Sequence, residues 1–105
     1  EWASHEGHAL KAGLSPALVD ALRRGERPEG MTAEEAAVHD FAAELHRDRT
    51  VSAATYARAE AVLGRLALVD LVGICGYYTL ICMTINAFEV PLPPGARDPF
   101  RGETP

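Results

Sequence analysis

The sequence has almost no cysteine: Cys75 and Cys82 stand seven apart in an apolar run, with no Cys-x-x-Cys spacing. Two helical turns separate them by about 10.5 Å along the axis, too far to bridge each other. This argues against a redox pair and predicts two buried small hydrophobes in a reducing compartment, the cytoplasm. A basic cluster is also missing. The one adjacent basic pair, Arg23-Arg24, sits at a predicted helix end, where it complements the helix dipole. With a net charge of −5 at pH 7, that argues against a nucleic-acid partner. There is no initiator Met, secretory signal pattern, internal repeat or low-complexity tract. The chain opens on Glu1 in what already reads as helix, with no capping residue before it. The expectation is that further helical sequence precedes Glu1; an intact mass of 11.3 kDa for the encoded product would overturn it.

What is present suits one small soluble domain: 105 residues, 48% hydrophobic and 24% charged. A core of this size is thin, so assembly into oligomers would help it. Five helices are predicted. The first covers residues 1–12 and stops at Gly13. The second starts with Ser15 as N-cap and Pro16 at the first helical position, stapled by Leu14 and Val19. Its apolar face is Leu18, Val19 and Leu22, and Gly25 ends it. A polar turn over 26–31 contains Pro28 and Gly30. Thr32 opens the third helix with a capping box to Glu35. Val38, Phe41, Ala42 and Leu45 form its buried stripe, and it frays near Arg47-Asp48-Arg49. Ser52 caps the fourth, with Val51 and Tyr56 as staple and Tyr56, Ala59, Val62, Leu63 and Leu66 as inner face. The fifth runs over 68–88. Residues 1–90 thus form the helical domain, and 91–105 a proline-rich tail lying extended over a surface.

The fifth helix is apolar almost all round. Residues 67–88 hold one charge, Asp70, so a membrane span has to be weighed. Gly73, Gly76, Thr79, Thr84 and Asn86, and the lack of a flanking basic cluster, speak for a helix wrapped by others or buried between subunits. The expectation is no membrane partner.

On a helix, Glu1, His5, His8 and Ala12 fall within a wedge of about 60°. Glu1 and His5 are four apart, so a carboxylate can hydrogen-bond an imidazole, fix its tautomer and favour its protonated form. That suits proton transfer near neutral pH. Ala12 leaves space one turn on, and Trp2 can wall an apolar pocket. Two other readings stay open: a solvated face carrying two histidines, and a metal held by Glu1, His5 and His8, at a spacing looser than His-Glu-x-x-His. His39 and His46 read as surface or boundary residues. Tyr77 and Tyr78 read as packing residues, one of whose hydroxyls can face a polar cavity.

The run Glu-Trp-x-x-His-x-x-x-Ala-x-x-x-Gly-Leu, Glu1 through Leu14, resembles the carboxymuconolactone decarboxylase family. So do Leu71-Val72-Gly73 to Gly76-Tyr77-Tyr78-Thr79-Leu80, Met83-Thr84, and Asn86-Ala87-Phe88-Glu89-Val90-Pro91-Leu92-Pro93. Glu34-Glu35-Ala36-Ala37-Val38 with Asp40-Phe41 also fits, so the resemblance covers nearly the whole chain. It implies an all-α, alkylhydroperoxidase-like helical bundle with upstream helices, assembled as a homo-oligomer, often a trimer or hexamer. Redox members of the wider superfamily carry Cys-x-x-Cys-x-x-x-His. Aligned on His5, Glu1 stands where the second cysteine would be, which argues against disulfide peroxidase chemistry. The resemblance implies a cofactor-free and metal-free lyase that decarboxylates a small carboxylated lactone or related cyclic acid. His5 would transfer the proton and Glu1 orient it, with Trp2, His8 and Tyr78 binding the small-molecule substrate. A family member with another reaction, an isomerase or hydrolase of secondary metabolism, would keep the same residues. A non-catalytic helical oligomer would leave His5 exposed, with no pocket nearby.

Overall fold

The computed structural model describes residues 1–101. It is all-α: five helices and, among the described residues, no strand. The helices are α1 (Trp2–Lys11), α2 (Pro16–Arg23), α3 (Ala33–Asp48), α4 (Ala53–Leu63) and α5 (Arg65–Ala87). The chain divides into two compact units, one of Glu1–Gly30 with the segment from Ile85 onward, the other of Met31–Thr84.

In the first unit, α1 and α2 each end in a Schellman motif. The Leu14 amide donates to the Ala9 carbonyl and that of Gly13 to Leu10; Glu26 and Gly25 repeat the pattern on Ala21 and Leu22. Both motifs need a left-handed residue, and Gly13 (φ 98°) and Gly25 (φ 74°) supply it without a Cβ penalty. Ser15 stands at the N-cap of α2 as expected, yet its side chain makes no capping hydrogen bond. The buried face of α2 is Leu18, Val19 and Ala21, while Leu22 is exposed. Pro28, placed in a polar turn by the sequence, is wholly buried.

In the second unit, the capping box of α3 forms as expected. The Thr32 hydroxyl accepts from the Glu35 amide, and the Glu35 carboxylate accepts from the Thr32 amide. Ser52 caps α4 by accepting from the Thr55 amide. The core is Phe41, Ala59 and Leu68, with Leu45, Val51, Leu63 and Leu71 packed around it. Phe41 is 3% and Ala59 1% exposed, so an aromatic ring of α3 sits on the small residue of α4. Three expected core residues, Val38, Tyr56 and Val62, are exposed instead. The buried residues of α4 are the short side chains Thr55 and Ala59.

Gly64, at φ 83° and ψ 161°, breaks the helical path after Leu63. The fifth helix therefore starts at Arg65, and Leu66, expected on the inner face of the fourth helix, belongs to α5 and is 84% exposed. Leu68 is the one buried residue of α5. Within the single chain α5 is thus not the wrapped core helix that its composition suggested. Cys75 and Cys82 are free thiols and half-buried rather than buried. Burial still pushes the Cys75 thiol up, which keeps it protonated and poorly nucleophilic.

Candidate functional site

Helix α1 opens on Glu1, whose carbonyl accepts from the amides of Ser4 and His5. The four-residue spacing brings His5 back over Glu1. The His5 Nδ1 lies 2.9 Å from the Glu1 carbonyl oxygen and 3.5 Å from its carboxylate Oε2. The backbone carbonyl is thus the closer partner, with the carboxylate as an outer charge. A carbonyl can only accept, so Nδ1 carries the hydrogen. The His5 side chain is 50% exposed. The His8 ring lies 6.3 Å from that of His5, tilted by 60°. Glu1, His5 and His8 therefore do line one face of α1. Among the described residues, no group of three His, Cys, Asp or Glu side chains is placed to hold a metal ion.

Trp2 turns to the other side of α1. Its indole Nε1 donates to Glu6 Oε2 at 2.7 Å, and its ring meets Phe100 edge-on at 5.8 Å. With Glu6, Leu10, Val19 and Asp20, Trp2 lines a groove of about 240 Å³ between α1 and α2. A larger groove of about 760 Å³ lies next to it, under the tail, and shares Glu6 and Arg23. Trp2 lines a groove that also holds Glu6, Asp20 and Arg23, and His5 and His8 line neither of these two. Tyr78 belongs to the second unit, on α5, where its ring meets Tyr77 edge-on at 5.2 Å.

The second unit holds two polar clusters not anticipated as contacts. Asp40 lies between His39 Nδ1 (3.1 Å) and Arg58 Nη2 (3.3 Å). His46 places Nδ1 2.7 Å from the Ala42 carbonyl and Nε2 3.1 Å from the Thr79 hydroxyl, which itself lies 2.7 Å from the Cys75 carbonyl. Thr79 has one hydrogen to give. If it goes to Cys75, His46 must donate from both nitrogens, so all three bonds coexist only with a protonated His46. No sequence pattern marks this contact, because 33 residues separate its partners.

Sequence reasoning also missed the basic side of the larger groove. Arg23, Arg97 and Arg101 all line it, the last two from the tail. They are scattered along the chain, so no basic run announces them. Comparison of the chain with protein-family models, with curated proteins and with solved structures finds no match in any of the three.

Proposed function

We propose that the chain is a carboxymuconolactone-decarboxylase-like lyase, an alkylhydroperoxidase-like helical protein that removes carbon dioxide from a small carboxylated lactone or related cyclic acid without a cofactor. The observation that carries this reading is the 2.9 Å contact of His5 Nδ1 with the Glu1 carbonyl, which orients the imidazole and sets its tautomer. In the reaction, the bond from the ring carbon to the carboxylate breaks and its electron pair delocalises into a conjugated carbonyl. Carbon dioxide leaves, and protonated His5 delivers its Nε2 proton to the resulting carbanion equivalent. Solvent then reprotonates His5. The Glu1 carboxylate lies 3.5 Å from Nδ1, beside the ring that carries the proton. His8, whose ring lies 6.3 Å from that of His5, is a further substrate contact.

The same reading makes the working form a cytoplasmic homo-oligomer. Its support is α5, where Val69, Ile74, Tyr77, Leu80 and Met83 are all exposed. An apolar surface of that extent marks a contact site. By length and composition alone α5 would also be able to cross a membrane, with 6% of its most apolar stretch buried.

Half-exposure of His5, and its absence from the two grooves, favours a second reading: a non-catalytic helical oligomer whose Glu/His stripe is solvated surface. Decarboxylation of carboxymuconolactone, followed by absorbance, separates the two. The lyase reading expects turnover that falls by about 100-fold or more in His5→Gln with helicity and assembly intact. Absence of turnover in the unaltered protein would favour the second reading, and unchanged turnover in His5→Gln would remove His5 from the mechanism.

A further inference from the structure

The tail of the first unit is a built loop. The Ala96 amide donates to the Pro93 carbonyl, and the Phe100 amide to Asp98 Oδ1, so two turns shape the segment. Arg23 pins it to α2: Nη1 donates to the Pro99 carbonyl at 3.2 Å, while Nε and Nη2 grip Asp20 Oδ1. The edge contact of Trp2 on Phe100 fastens it to α1. Between tail and helices lies the groove of about 760 Å³. That is the size of a small-molecule site rather than of a crevice for water.

Its lining is charged in a particular way. Of the two carboxylates, Glu6 already accepts from the Trp2 indole and Asp98 from the Phe100 amide. Arg23 is committed to Asp20 and Pro99. Arg97 and Arg101 face the same groove, and neither has a hydrogen bond or ion pair with another described residue. Leu92, Ala96 and Pro99 add apolar wall beside them. Two guanidiniums without such a partner among the described residues thus share one concave surface, in a chain of net charge −5 where carboxylates outnumber basic groups. Guanidinium forks match carboxylates, and the apolar wall suits an organic body.

We propose that this groove binds a small organic anion, its carboxylates held by Arg97 and Arg101 and its apolar body against Leu92 and Ala96. This site is distinct from the Glu1–His5 pair and holds whether or not that pair turns anything over. Trp2 is the single tryptophan of the chain, and its edge contact with Phe100 ties its emission to the position of the tail. Phthalate is the probe, with dimethyl phthalate as its uncharged counterpart and inorganic phosphate as a small anion. Phthalate should shift Trp2 emission saturably and bind more weakly as salt rises; phosphate should displace it poorly, and dimethyl phthalate should give no shift. Arg97→Gln and Arg101→Gln should each weaken phthalate by about tenfold, and Arg97→Lys by less. Both residues are exposed, so these variants keep the fold, which far-ultraviolet circular dichroism checks. Absence of saturable phthalate binding by fluorescence and calorimetry overturns the proposal, as does unchanged binding in the double Gln variant. Phosphate binding as tightly as phthalate overturns the organic-anion assignment.

Discussion

Glu44 shows how single side chains hold the second unit together. Its carboxylate accepts from the Thr55 hydroxyl and from the Ser52 amide, joining α3 to the start of α4. The Thr55 hydrogen bond first, then the Ser52 amide, hold the Glu44 carboxyl below its usual value of 4.5. A folded-state pKa below the unfolded one contributes stability that is present above the unfolded pKa and lost as pH falls through the folded pKa. Glu44→Gln should therefore cost most near neutral pH. The stability gap to the unaltered protein should close in acid, as pH falls past the usual value of 4.5 and through the lowered folded-state one. Urea titrations at several pH values check this; a gap constant with pH would show that the carboxylate charge is irrelevant. At the same scale, buried Thr55 satisfies its hydroxyl through Glu44, so Thr55→Val should reduce the pH dependence and leave the part that the Ser52 hydrogen bonds supply.

Elements are set by their ends and by one packed face. The α3 capping box predicts that Thr32→Ala lowers stability by about 1 kcal/mol, read as a lower midpoint in thermal unfolding. At the other end Arg49 sits at φ 63°, the left-handed region that favours glycine. Arg49→Gly should stabilise the protein by about 0.5–1 kcal/mol by removing that conformational cost. Between the ends, Phe41 and Ala59 share the apolar cluster where α3 meets α4. Phe41→Ala should cost about 3–5 kcal/mol, enough to unfold a unit with so few buried residues, and circular dichroism would register it. Ala59→Leu should destabilise by about 1–3 kcal/mol through overpacking, with no loss of helix propensity to blame.

For the whole molecule, the exposed apolar length of α5 is the dominant fact. Leu80 is 60% exposed and is not among the residues packed on the Phe41 cluster. If α5 is covered by copies of the chain, the unaltered protein sediments as an oligomer without detergent. Leu80→Lys then lowers its mass toward that of one chain while keeping helicity. A protein that is extracted only with detergent would instead point to lipid as the cover for α5.

Local chemistry was legible from the residue order alone. Caps at Thr32 and Ser52, stops at Gly13 and Gly25 and the all-helical class each depend on neighbours within about five positions, and they formed as expected. The Glu1–His5 proximity was legible for the same reason, although the backbone carbonyl, not the carboxylate, proved the closer partner. Contacts across long stretches of chain were not legible. His46 with Thr79, Arg23 with Pro99 and the convergence of Arg97 and Arg101 on one groove follow from where the helices and tail pack. Which apolar faces stay uncovered was also decided only there. An apolar pattern says that a face such as that of α5 seeks cover, and only the tertiary structure, which brings distant helices together, decided that Leu68 is the residue of α5 that the single chain buries.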